Sequence, residues 1–165
     1  MKDKVIEILN NIAKLLEIKG EMFFKFNAYV AAADKLKSLD IDIESMAREN
    51  KLSEIDGIGK ALNTKISEFV LTGKMSYYEK LTEEYPESLL ELLKIDGLGA
   101  KKIKQIYSEL GIIDIDGLES SCINGDVAKL KGFSEVSQTK ILESIQHIRS
   151  NPNYKVTNIH FRDIQ

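Results

Sequence analysis

Four glycines stand where the backbone itself can do chemistry. They fall in two matched stretches, Ile55-Asp56-Gly57-Ile58-Gly59-Lys60 and Ile95-Asp96-Gly97-Leu98-Gly99-Ala100. Two glycines in so short a link let the chain take positive φ and leave no Cβ in the path of a ligand. A helix that starts at once behind the link turns its unpaired N–H groups and the positive end of its dipole outward. The result is an anion site made of backbone, suited to a phosphate. It touches phosphate and no base edge, so the binding it predicts is independent of base sequence. Lys60 follows the first link, and Lys101, Lys102 and Lys104 follow the second, as sources of positive charge.

A third, weaker copy is Leu130-Lys131-Gly132-Phe133-Ser134-Glu135, among Lys129, Lys131 and Lys140. Ser134 stands where the second glycine belongs, so this copy is expected to pack like the others and to hold phosphate less well or not at all. Short apolar segments precede the three links, over 51–55, 88–95 and 126–130. Longer helical patterns follow them, over 60–71, 101–110 and 136–148. The repeated unit is helix, hairpin, helix. The plain alternative is a tight turn in an αα-hairpin. Three copies with trailing lysines favour the phosphate reading over it.

The remaining elements must hold these links in place. Val5, Ile8, Leu9, Ile12, Leu15 and Leu16 recur at helical steps, and Gly20 follows as a stop. Alanine content and length predict a helix over 22–39. Asp40 and Asp42 can start a shorter helix ending near Asn50. Ser76 and Glu79 have capping-box spacing, which suits a helix over about 77–84. Pro86 marks a break, so the expected parts are 1–85, 86–150 and a tail, 151–165. Within the tail, Tyr154 to Phe161 reads as a strand that could dock on the helices, pair with a protein partner, or be the stub of a missing domain. The expected fold class is all-α, with tandem helix-hairpin-helix domains.

Composition excludes much else. The chain has 165 residues, 43% hydrophobic and 30% charged, with a net charge of −3. It can form a core, and positive charge can only be local. A single cysteine, Cys122, and two histidines, His147 and His160, exclude a disulfide framework and a multi-Cys zinc site. Cys122 is expected to be a small buried hydrophobe, and His147 to sit near a helix C-terminus. No apolar run is long enough to span a bilayer, so no membrane partner and a cytoplasmic setting are expected.

Together these motifs resemble the N-terminal half of the bacterial and archaeal family X DNA polymerases, relatives of DNA polymerase beta. The markers are Leu16-Glu17-Ile18-Lys19-Gly20-Glu21, Phe26-Asn27-Ala28-Tyr29, the first Gly-x-Gly link, Thr72-Gly73-Lys74, and Leu89-Leu90-Glu91-Leu92 leading into the second link. The resemblance runs from the first helix to about Ile148. It implies that 1–85 grips the 5′-phosphate side of a DNA gap and that 86–150 holds backbone near the primer. The implied partner is DNA, gapped, nicked or duplex. In the family a palm with three catalytic aspartates follows. Asp40-Ile41-Asp42 and Asp114-Ile115-Asp116 read as helix starts and not as metal ligands, so polymerisation is not expected from this chain alone. No cofactor is required. The resemblance also implies a monovalent cation, Na+ or K+, at the hairpins Ile55–Gly59 and Ile95–Gly99.

In many members the small domain also removes a 5′-deoxyribose phosphate through a lysine Schiff base, and the matching position is Lys65. That chemistry needs an uncharged amine. Lys65 lies at the edge of the apolar face of Leu62, Ile66, Phe69 and Val70, where the alternative is a lysine whose stem covers the core. Lys25 and Tyr29 match positions that contact the 5′-phosphate and the lyase pocket. Phe24 stands in place of the animal enzymes' histidine, and Val30 in place of a basic residue. Phe23, Phe24, Phe26 and Tyr29 are expected mainly in the core, with stacking on bases as the alternative. Gly97→Val with Gly99→Val is expected to weaken DNA binding and spare the fold. Three function classes follow: a DNA-binding module, a lyase through Lys65, and a protein-interaction scaffold.

Overall fold

Helical periodicity in the first third of the chain becomes a pair of long helices in the computed structural model, which describes residues 1–151. Helix α1, Lys2–Lys19, buries Val5, Leu9, Ile12, Leu15 and Leu16 on one stripe. It ends at Gly20, where the Gly20 and Glu21 amides return to the Leu16 and Glu17 carbonyls. Helix α2, Phe23–Ser38, packs along α1 through Tyr29, Ala32, Ala33 and Leu36. Small alanines at that stripe let the two backbones approach closely. Helix α3, Ile43–Arg48, starts on Asp42, whose carboxylate accepts the Ser45 amide at 3.3 Å. A 3₁₀ turn, Leu52–Glu54, leads into the first hairpin. Helices α4, Lys60–Thr72, and α5, Ser76–Glu84, complete the first of two compact units, Met1–Leu90.

The start of α5 differs from its expected capping box. Ser76 is already helical, and Met75 is the flanking residue. Glu68 of α4 grips Ser76 instead, accepting its amide at 3.0 Å and its hydroxyl at 2.5 Å. A charged acceptor outcompetes a local one, and the Ser76 contact holds the Glu68 carboxyl below its usual range.

The second unit begins at Glu91. Helix α6, Leu89–Leu92, runs through the division. Then come α7, Ala100–Leu110, α8, Ile115–Ile123, a 3₁₀ turn, Val127–Lys129, and α9, Glu135–Ser150. Its core gathers Leu92, Ile103, Ile106, Ile115, Leu118, Val127, Ile141 and Ile145. Cys122 is buried there, and burial pushes its thiol up to about 11, out of reactive range at neutral pH. Arg149, in the last turn of α9 beside His147, clasps Asp116 and Glu119 of α8.

Asp114 caps α8 by accepting the Gly117 amide at 2.7 Å. Both Asp-x-Asp pairs are thus helix starts, as their spacing predicts. Asp114→Ala is expected to cost about 1 kcal/mol, read as a lower thermal midpoint in a circular dichroism melt. The regular secondary structure of the described residues is all helical, with no strand among them. The expected strand at Tyr154 to Phe161, and His160 with it, lies outside the described residues. No described helix is long and apolar enough to cross a membrane.

Candidate nucleic-acid interface

All three hairpins make the same turn. The Ile58 amide donates to the Ile55 carbonyl at 3.0 Å, Leu98 to Ile95 at 3.1 Å, and Phe133 to Leu130 at 3.0 Å. Gly57, Gly97 and Gly132 occupy the corner at φ of 92°, 88° and 84°. Positive φ at that position is what a type II turn demands, and glycine meets it without strain. The first glycine of each motif is therefore required by the fold.

The second glycine is not. Gly59 has φ −81° and ψ −174°, and Gly99 has φ −99° and ψ −178°, extended conformations open to any residue. A Cβ added at either would meet nothing within 4 Å. Both are exposed, and each precedes a helix that receives no side-chain cap from it. Serine or aspartate at either place would satisfy an orphan amide, at a gain of a few tenths of a kcal/mol over glycine. The third motif does so: Ser134 accepts the Ser137 amide at 3.2 Å, and Ser137 returns a bond to Ser134 in a capping box. The first two hairpins present open helix starts, and the third has closed its own.

The expected site residues divide accordingly. Gly57, Gly59, Gly97 and Gly99 line exposed backbone. Ile58 and Leu98 do not face outward: they are 2% and 6% exposed, and their side chains anchor the turns in the core. Lys60, Lys101 and Lys104 are exposed beside the open helix starts. Lys102 is half-buried, with its ammonium over the Phe133 ring at 5.3 Å, so it serves the third hairpin's packing. Gly97→Val is not the fold-neutral change expected of it, because a β-branched residue is strained at that φ.

Lys25, Tyr29 and Lys65 converge in the first unit. A pocket of about 290 Å³ is lined by Leu16, Lys19, Glu21, Lys25, Tyr29 and Tyr77. Tyr29 and Tyr77 stack with centroids 6.1 Å apart, and the Lys65 ammonium lies over them, 4.4 Å from the Tyr77 centroid and 5.8 Å from that of Tyr29. Burial, with Tyr29 beside it, pushes the Tyr77 phenol up to about 12, and burial also raises Tyr29. Both rings stay neutral and offer their faces to the cation. Two carboxylates partner the other lysines: Glu21 pairs with Lys25 at 3.2 Å, and Glu84 with Lys19 at 3.1 Å. Tyr77 and Glu84 escape a sequence reading, because only the tertiary fold brings them to Tyr29 and Lys19, whereas Glu21 meets Lys25 from four residues before it, a local spacing.

The aromatic cluster splits. Tyr29 is 8% exposed, but Phe23 and Phe24 are 66% and 64% exposed, contrary to their expected core role. The cause is angular: each lies roughly a third of a turn or more from the inward stripe of α2. Among the described residues no three His, Cys, Asp or Glu side chains form a cluster fit for a metal ion.

A family model for the helix-hairpin-helix domain matches residues 1–75, and a second, for a SAM-like helix-hairpin-helix tandem, matches residues 89–146. Between them they take in all three hairpins, and the chain is a tandem helix-hairpin-helix protein. It is 37% identical over 151 residues to the DNA polymerase/3'-5' exonuclease PolX of Bacillus subtilis (strain 168). That match covers 92% of this chain and 26% of the relative, so the chain spans about a quarter of that protein's length. The resemblance to family X DNA polymerases carried by the motifs is borne out by this relative.

Proposed function

We propose that the chain is a DNA-holding module that grips backbone phosphates through its first two hairpins without reading bases, in the setting of a family X polymerase. One observation carries this reading. Gly59 and Gly99 are bare where neither backbone conformation nor internal space asks for glycine, and each opens a helix N-terminus to solvent. A ligand that must approach the backbone supplies the missing reason. Lys60, Lys101 and Lys104 add charge around it. The test is fluorescence anisotropy on gapped, nicked and intact duplexes of unrelated sequence. Binding at low salt is expected, indifferent to base sequence and falling with salt at a log–log slope of about −3 for a few neutralised phosphates. Absence of binding at low salt would transfer the assignment to a protein-interaction scaffold.

The pocket around Lys25 suits the terminal phosphate of a DNA gap. Its lysines are partly satisfied by Glu21 and Glu84, which an entering phosphate must displace. Glu21→Gln is accordingly expected to raise affinity for 5′-phosphorylated over 5′-hydroxyl gaps by about two- to fivefold, the strength of an exposed ion pair. A ratio unchanged by the substitution would remove the phosphate from this pocket.

The hairpin turns also offer backbone carbonyls suited to a monovalent cation, Na+ or K+, at Ile55–Gly59 and Ile95–Gly99. The Ile55 and Ile95 carbonyls each accept one turn bond and keep a second lone pair. A second functional reading, the lyase, is favoured by the placement of half-buried Lys65 beside the pocket that Tyr29 and Tyr77 line; the two ring faces favour its charged form, which the reaction must first deprotonate. Borohydride trapping on a 5′-deoxyribose-phosphate substrate tests it. A covalent adduct that disappears in Lys65→Ala supports the lyase, and no adduct removes it.

A further inference from the structure

One polar side chain among the described residues is buried with the core. Ser144, 9% exposed, lies on the inward face of α9 between Ile141 and Ile145. Its hydroxyl accepts the Asp96 amide at 3.0 Å, reaching from the third motif into the turn of the second hairpin. Contacts run the other way too. From α7, the Gln105 side chain donates to the Lys131 carbonyl at 2.9 Å, and Lys102 covers Phe133. Each hairpin of this unit is thus tied down by the second helix of the other motif.

We propose that Ser144 is a positioning residue for the second phosphate site. By drawing the Asp96 N–H inward it fixes the tilt of the Ile95–Leu98 turn, so that the amides that open α7 stay aimed at solvent. An apolar residue would fill this core position without a polar group to satisfy, and the hydroxyl's one described partner is the hairpin. The third motif, its own helix start closed by Ser134, acts as the brace of the second. This inference rests on the reading of the second hairpin as a phosphate site.

The experiment measures gapped-DNA affinity of the full chain in four forms: wild type, Ser144→Ala, Gly99→Asp and the double variant. Ser144→Ala is expected to weaken binding roughly fivefold, the effect of one lost hydrogen bond transmitted to the site. Ser144→Thr, which keeps the hydroxyl, restores wild-type affinity. In the Gly99→Asp background Ser144→Ala adds nothing further, because the site it positions is already closed. An equal loss in both backgrounds means a general structural role and overturns the inference. So does unchanged affinity in Ser144→Ala when Gly99→Asp alone weakens binding. If Gly99→Asp leaves affinity intact, the phosphate reading itself fails and takes the inference with it. A second measurement needs no variant: the Asp96 amide is expected to be protected from hydrogen exchange with and without DNA. Exchange at the rate of an open turn overturns the proposal.

Discussion

Replacing Gly59 and Gly99 together by aspartate is expected to move stability and DNA binding in opposite directions. Each position has an extended backbone conformation, open surroundings and a helix start without a side-chain cap. Aspartate is among the best N-cap residues, and in place of glycine it gains a few tenths of a kcal/mol per helix. The circular dichroism melt should therefore hold or rise slightly. Its carboxylate, however, takes the amides a phosphate would use and adds a repelling charge at the same spot. A hydrogen bond to a charged group contributes about 1.5–3 kcal/mol. Closing both hairpins should then cut affinity for gapped duplex about a hundredfold. Affinity equal to wild type would show that these amides hold no phosphate. The third hairpin is the natural precedent, since Ser134 already makes this exchange.

Leu98→Ala should act the other way, on the fold first. Leu98 sits inside the second hairpin's Gly-x-Gly, yet its side chain is 6% exposed and points into the core. Truncating a buried leucine costs about 2–5 kcal/mol. For a unit of this size that lowers the melting midpoint by roughly ten degrees or more. Lys101→Ala, at an exposed position three residues on, should stay within about 0.5 kcal/mol of wild-type stability and still weaken DNA binding. A Leu98→Ala chain that melts with wild type would place that side chain outside the core. Indistinguishable DNA binding by Lys101→Ala would remove its charge from the interface.

Much of this architecture is legible along the chain. The α1 stripe, the Gly20 stop and the Asp42 and Asp114 caps obey rules that act over three or four residues. The hairpins are legible because a type II turn needs positive φ at one corner, and glycine advertises it. Ser134 is legible for the same local reason: a serine in the N-cap position bonds the amide three residues on. The periodicity of α2 could have placed Phe23 and Phe24 outside, had the inward stripe been anchored on Tyr29 and Leu36. Aromatic content alone argued for burial, and the helical angle overruled it.

By itself the amino-acid order determined which links turn, where α3 and α8 begin, and that two of three motifs leave a helix start bare. Only the tertiary structure decided which side chains those links keep. It buried Ile58 and Leu98, committed Lys102 to Phe133, set Lys65 over Tyr29 and Tyr77, gave Glu68 to Ser76, and joined Ser144 to Asp96. The division has one physical reason. Turn and cap preferences are energies of neighbouring residues, whereas burial and long-range pairing exist only once separate helices have packed.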